Sequence, residues 1–217
     1  MRAGIVQKLF LLIGFFNLVL GPTGAWASSY DDMLGAVKHG NTSLVRQLLA
    51  KGVDVDSTDR EGSTLLIIAA AEGKLDSLKV LVDGKAKLDA ANQFGETALM
   101  MAAIKGHRPI VEYLLSRGAR VNHSGWTPLM FAAIKGHSDI AKLLLTKGAN
   151  VNASSENGTT ALMLAAKEGD LDTVLVLLDS GAAVNLRNLA GATALGIALE
   201  NRRKDVASVL LRAGAEQ

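Results

Sequence analysis

The side chains able to carry chemistry in this 217-residue chain are few and scattered. Four histidines, His39, His107, His123 and His137, are the only imidazoles available as neutral bases or nitrogen ligands. Two of them converging on a carboxylate would hold a metal or move a proton. The acids that recur through the chain, Asp76, Glu112, Asp139, Asp172 and Asp205, show no spacing that pairs a general acid with a general base. No His-Glu-x-x-His, no phosphate-cradling Gly-Lys-Ser/Thr loop and no Gly-x-Ser-x-Gly is present. Cysteine is absent, which excludes disulfides, thiolate metal sites and cysteine nucleophiles. Met100, Met101, Met130 and Met163 make a sulfur-rich series, for which core packing is the expected role rather than a metal or redox stripe. The expectation is a chain without enzymatic activity, cofactor or metal.

The positions of these residues follow from a repeat. Thr64, Thr97, Thr127, Thr160 and Thr193 lie 33, 30, 33 and 33 residues apart, opening the phrases TLLIIAA, TALMMAA, TPLMFAA, TALMLAA and TALGIAL. Glycines keep the same beat at Gly40, Gly73, Gly106, Gly136 and Gly169, and again at Gly52, Gly118, Gly148, Gly181 and Gly214. Threonine is a good helix N-cap, and the Leu and Ala-Ala that follow make one apolar helical face. The first glycine ends that helix. A second helix, such as SDIAKLLL, carries an acid near its start and ends at the second glycine. His107 and His137 each follow the glycine between helices, where a capping role is expected, and His39 beside Gly40 is expected to cap too. His123 falls in a connection, either solvated or part of a binding surface.

Composition agrees with helices. Hydrophobic residues make up 49% of the chain but aromatics only 4%, so the core is built from Ala, Leu, Val, Ile and Met. Small side chains let helices approach closely, whereas a sheet sandwich would draw on β-branched and aromatic residues.

The stretch TPLMFAAIKGHSDIAKLLLTKGANVN resembles the ankyrin repeat, from the Thr-Pro-Leu opening through Gly-His between helices to the Gly-Ala-x-Val-Asn ending. The likeness extends over about residues 30–217. It implies an all-α solenoid of about six helix-turn-helix units with short hairpin-like fingers between them. The divisions are an N-terminal capping repeat (30–58), repeats 59–91, 92–121, 122–154 and 155–187, and a C-terminal capping repeat (188–217). Polar outer faces are expected at both ends, from Asp31-Asp32 opening the first helix with Lys38, His39, Arg46 and Gln47, and from Glu200 to Lys204 in the last unit.

Three departures from the family pattern stand out. Where ankyrin repeats usually place a histidine after Thr-x-Leu, this chain has Ile67, Met100, Met130, Met163 and Gly196, so that polar link between repeats is missing and more of the coupling is expected to come from apolar packing. Lys85 and Arg202 occupy places where a left-handed glycine is expected, which predicts two poorly formed helix ends. One finger is short, since Val121 to Thr127 spans six positions where Val55–Thr64, Leu88–Thr97, Val151–Thr160 and Val184–Thr193 span nine. The stack is expected to continue past it, with a notch in the row of fingers.

The resemblance implies a concave, partner-binding surface of finger tips and first-helix faces. The matching positions are Arg60, Glu61, Ser63, Ala71 and Glu72; Gln93, Phe94, Glu96, Ile104 and Lys105; Trp126, Ile134 and Lys135; Glu156, Asn157, Thr159, Lys167 and Glu168; then Leu189 and Ala190. Phe94, Ile104, Trp126 and Ile134 are the apolar members and belong to adjacent central repeats. Trp126 stands either exposed beside the notch as an interface anchor or folded back to fill the space of the missing residues.

The first residues differ in kind. Arg2 and Lys8 precede a 12-residue apolar run, Leu9 to Leu20, followed by a Gly-Pro break and Ala25-Trp26-Ala27. Twelve helical residues reach roughly 18 Å, short of the ~30 Å of a bilayer core. The pattern predicts a signal peptide, residues 1–27, cut before Ser28. A retained anchor and an apolar first helix are the alternatives. Cleavage would remove Arg2 and Lys8 and leave 21 basic and 21 acidic residues. A neutral chain without basic blocks offers no electrostatic footprint for nucleic acid, or for a membrane once the leader is gone. A short ankyrin chain with such a leader resembles bacterial exported members, so the mature protein is expected in the periplasm, or otherwise secreted. The resulting expectation is a monomeric, exported protein-protein interaction module with a protein partner. A secreted effector acting on host proteins, or a regulatory subunit of an exported enzyme, is the alternative.

Overall fold

A computed structural model describes residues 23–216, with side chains from residue 29 onward. Twelve helices run through the described residues: α1 (Thr23–His39), α2 (Thr42–Ala50), α3 (Leu65–Ala71), α4 (Leu75–Asp83), α5 (Ala98–Ile104) and α6 (Arg108–Ser116). They continue with α7 (Pro128–Ala133), α8 (Ser138–Thr146), α9 (Ala161–Glu168), α10 (Leu171–Asp179), α11 (Ala194–Glu200) and α12 (Lys204–Arg212). Odd-numbered helices stack on one another in one layer and even-numbered helices in a second, so that each helical pair touches chiefly its neighbours. This is the all-α solenoid that the repeat period predicts.

The expected caps form at each threonine. The side-chain oxygens of Thr64, Thr97, Thr127, Thr160 and Thr193 accept the amides of Ile67, Met100, Met130, Met163 and Gly196 at 3.1–3.4 Å. Ala70, Ala103, Ala133 and Ala166 are fully buried where one first helix meets the next. At the matching place in α11 stands Leu199, half-exposed, a side chain too large for that close approach. One apolar cluster extends from Met33 to Ala215 through all six units.

Two features of the fold correct expectations from sequence. Asp31 and Asp32 do not open the first helix, because α1 begins at Thr23. Lys85 and Arg202 do not spoil their helix ends. Both take the left-handed conformation that glycine takes elsewhere, with φ of 71° and 58°. Their turns also keep the usual pair of closing hydrogen bonds, Lys85 N–H to Val82 O and Ala86 N–H to Leu81 O at 3.0 Å, then Arg202 N–H to Leu199 O at 3.0 Å and Arg203 N–H to Ala198 O at 2.8 Å. The packing of the stack dictates the turn, and the residue bears the strain.

Coupling between repeats is polar as well as apolar. Asp56, Asp89, Asn122, Asn152 and Asn185 each accept, through Oδ1, a backbone amide of the next unit: those of Lys87, Arg120, Asn150, Ala183 and Glu216, at 2.8–2.9 Å. Arg108 adds an exposed tie between α6 and α8, binding Glu112 at 2.9 Å and Asp139 at 3.1 Å.

Residues 1–22, which hold most of the expected leader, lie outside the described residues, and α1 runs through the expected cut between Ala27 and Ser28. Among the described residues no helix is long and apolar enough to cross a membrane.

Candidate functional site

Three of the four long fingers are each shaped by one side chain. Asp59 Oδ1 accepts the amides of Glu61 and Ser63, Asn92 Oδ1 those of Phe94 and Glu96, and Asn188 Oδ1 those of Ala190 and Ala192, all at 2.8–3.0 Å. Ser155 and Asn157 divide the task in the fourth finger, where Thr159 N–H reaches both at 3.2 Å. Tips of adjacent fingers then join: Gln93 N–H donates to Glu61 O at 3.1 Å, and Leu189 N–H to Asn157 O at 2.9 Å. The short finger makes no such bond among the described residues. It therefore separates two joined pairs of fingers and leaves a gap at the middle of the row.

Trp126 and Phe94 border that gap. Trp126 precedes the N-cap Thr127, and Phe131 is the fourth residue of the helix that Thr127 caps. Their rings sit 5.5 Å apart at 54°, an aromatic version of the hydrophobic staple that fixes how a chain enters a helix. Trp126 thus does part of each task foreseen for it: one face braces its own repeat, while 42% of the residue stays exposed. Phe94, at 68% exposure, projects from the neighbouring finger. Between them lies a hollow of about 270 Å³ lined by Phe94, Gly95, Glu96, Ile104, Trp126, Phe131 and Ile134. On the other side of Trp126 a more polar hollow of about 430 Å³ reaches Asn157, Thr159, Lys167 and Glu200.

Of the residues expected on the concave surface, Arg60, Glu61, Glu72, Gln93, Phe94, Lys105, Trp126, Lys135, Glu156, Asn157, Lys167 and Glu168 are exposed. Glu96, Ile104 and Ile134 are half-buried. The structure gathers Phe94, Glu96, Ile104, Trp126 and Ile134 around one hollow and adds Phe131, which the spacing of the repeat did not single out. Its signal was available, because only this repeat pairs an aromatic residue before the capping threonine with another four residues after it.

The histidines do not behave as a set. His39 caps its own helix, with Nδ1 2.8 Å from Gly35 O, as expected. His107 and His137 occupy N-cap positions but make no side-chain cap there. Each instead reaches back one repeat, Nε2 of His107 to Ala71 O and Nε2 of His137 to Ile104 O, both at 3.2 Å. Arg203 repeats the contact with Lys167 O at 3.1 Å. The preceding repeat's glycine makes room for this. A Cβ on Gly73 would lie 2.8 Å from the His107 ring, and one on Gly106 would lie 2.7 Å from that of His137. His123, in the short finger, is half-buried, with Nε2 2.9 Å from Arg120 O. No cluster of three or more His, Asp or Glu residues able to hold a metal occurs among the described residues.

One group near the first finger has a shifted titration. Burial of the Tyr30 hydroxyl, then the charges of Asp59, Asp31 and Glu61, raise its pKa above the ordinary tyrosine value.

Comparison with known proteins agrees with this architecture. The family model for ankyrin repeats (three copies) matches residues 33–124, 85–155, 121–188 and 148–217, and so accounts for nearly all of the described chain. Ankyrin repeat and SAM domain-containing protein 6 of Mus musculus is 37% identical over 92 residues, 42% of this chain but 10% of that protein. Protein fem-1 homolog A-like, also from Mus musculus, is 41% identical over 78 residues, 36% of this chain and 12% of that protein. The chain thus spans only about a tenth of the length of such relatives. Notch-regulated ankyrin repeat-containing protein A of Danio rerio is 38% identical over 86 residues, 38% of this chain and 77% of that protein. Ankyrin repeats indicate a protein-protein interaction module, and the chain belongs to the ankyrin repeat family.

Proposed function

We propose that the chain is an exported interaction module that grips a partner protein at the notch in its row of fingers and performs no catalysis itself. The observation that carries this reading is the apolar hollow between Phe94 and Trp126, open where the short finger fails to join its neighbours. Large aromatic side chains held at the centre of a surface are the usual energetic anchors of an interface. A partner seated across the central repeats would cover about 800 Å² of the chain, the ordinary size for a specific complex.

Export rests on Arg2, Lys8, the apolar run from Leu9 and the Ala25-Trp26-Ala27 stretch. A cut before Ser28 leaves Met33, Ala36 and Val37, the buried residues of α1, in the mature protein. The first repeat therefore keeps its core. N-terminal sequencing and fractionation test this part, and a protein that starts at Met1 in the cytoplasm refutes it.

The interaction itself is tested by affinity capture with the chain and its Phe94→Ala and Trp126→Ala forms from the producing cells. Loss of a captured protein with both variants, at unchanged helical circular dichroism, is expected. Undiminished capture would move the binding surface elsewhere.

A further inference from the structure

The chemistry around the hollow narrows the kind of partner, an inference that rests on the interaction reading above. Residues at the C-terminal ends of successive first helices occupy equivalent places along the concave face: Glu72, Lys105, Lys135, Glu168 and Asn201. The two lysines fall in the central repeats, each directly after a half-buried isoleucine, Ile104 or Ile134, that lines the hollow. Lys105 and Lys135 are exposed, and neither makes an ion pair among the described residues. Glu96, the one acid lining the hollow, is held at 2.9 Å by Asn92 within its own finger. The apolar site is thus flanked by two free cations, and acids stand one repeat farther out on each side.

We infer that the partner presents an extended acidic segment: an apolar side chain enters the Phe94–Trp126 hollow, and carboxylates on either side meet Lys105 and Lys135. Stacked helices are about 8–10 Å apart, and an extended chain advances about 3.3 Å per residue with alternate side chains on one face. The two carboxylates therefore stand four residues apart with the apolar side chain midway, a span of about 13 Å that the long lysine side chains can meet. The cations also decide between occupants. The chain's own leading segment carries Arg2 and Lys8 on either side of nothing acidic, and would bring like charge to the lysines.

The test uses three fluorescein-labelled ten-residue peptides and fluorescence anisotropy with the chain. The first peptide has two glutamates four apart with a leucine midway between them, the second has lysines for the glutamates, and the third has serine for the leucine. The first is expected to bind about tenfold tighter than either of the others, the size of effect that two exposed charge pairs or one apolar anchor supply, and to weaken as salt is added. The Lys105→Glu/Lys135→Glu double variant is expected to prefer the lysine peptide, and Phe94→Ala to abolish the advantage of leucine over serine. Equal binding of the acidic and basic peptides, an unchanged preference in the double variant, or no binding of any peptide overturns the inference. Self-association that Phe94→Ala removes overturns it too, by making a second copy the occupant. The interaction reading survives such a result if Phe94→Ala still loses the captured protein, and fails with it only if capture is also unchanged.

Discussion

Trp126 and Phe131, 5.5 Å apart across the N-cap Thr127, tie the notch in the finger row to the helix beneath it. Three residues are missing from this finger, so no tip hairpin holds the chain over α7, and the two rings supply the missing brace. The same arrangement leaves the outer face of the indole to the groove, so one side chain serves both stability and recognition.

Replacement of Trp126 should therefore have two separable effects. Trp126→Ala is expected to lower stability by about 1 kcal/mol through loss of the aromatic pair, and to lose partner binding. Trp126→Leu keeps an apolar contact on Phe131 and should recover most of the stability without recovering binding. Denaturant midpoints set beside capture by each variant check this. Full binding by the leucine form would mean that the indole serves the fold alone.

The two strained turns give a second test. Lys85 and Arg202 hold φ near +60° to +70°, where a Cβ is crowded, and their side chains are exposed. Lys85→Gly and Arg202→Gly should each stabilise the protein by about 0.5–1 kcal/mol, the relief of strain exceeding the added freedom of the unfolded chain. A fall in melting temperature would show that those side chains make contacts worth more than the strain.

These turns also show what sequence conveys and what it does not. The period of threonines and glycines fixed the helices, the order of repeats and the short finger, because capping and packing at one level repeat at the next. The failures came where tertiary contact overrides a local rule. A lysine in a glycine position reads as a broken helix end, yet the stack imposes the turn. His107 reads as a cap for its own helix, yet the open space over Gly73 draws its ring to the preceding repeat. The ladder between repeats was spelled by the Asp or Asn that follows the leading Val or Leu of each finger, Asp56, Asp89, Asn122, Asn152 and Asn185, but nothing local says that the acceptor faces the next unit. At the site, exposure of Phe94 followed from its finger, whereas the Trp126 rotamer depended on Phe131 and could not be read from spacing.

Thr173 offers a third prediction. Its side chain is fully buried in α10, and its hydroxyl has no hydrogen-bond partner among the described residues. Matching positions in α6, α8 and α12 hold Ile110, Ile140 and Val206. Thr173→Val keeps the shape and removes the unpaired hydroxyl, and should raise stability by about 1 kcal/mol. Thermal melts of the pair decide it, and an unchanged or lower midpoint would reveal a partner for the hydroxyl, such as a trapped water.

Tyr30 makes stability depend on alkaline pH. Its hydroxyl oxygen is shielded from solvent with no hydrogen-bond partner among the described residues, and Asp59, Asp31 and Glu61 surround it with negative charge. Both influences disfavour the phenolate, so the folded pKa lies above the ordinary value of 10.0. Below that ordinary value both folded and unfolded chains keep the proton, and the contribution is constant. Above it the unfolded chain releases its proton first, while the folded chain holds on until its own higher pKa is passed. Between the two values the folded state binds more protons than the unfolded state, and stability falls as pH rises. Tyr30→Phe removes that slope and, having no hydroxyl to leave unpaired, should be at least as stable at neutral pH. Urea midpoints of both proteins from pH 8 to pH 11 provide the check. Every other charged group is common to the two proteins, so the difference between the curves isolates Tyr30. The gap should widen above pH 10, and parallel curves would mean that the hydroxyl is solvated in the folded chain.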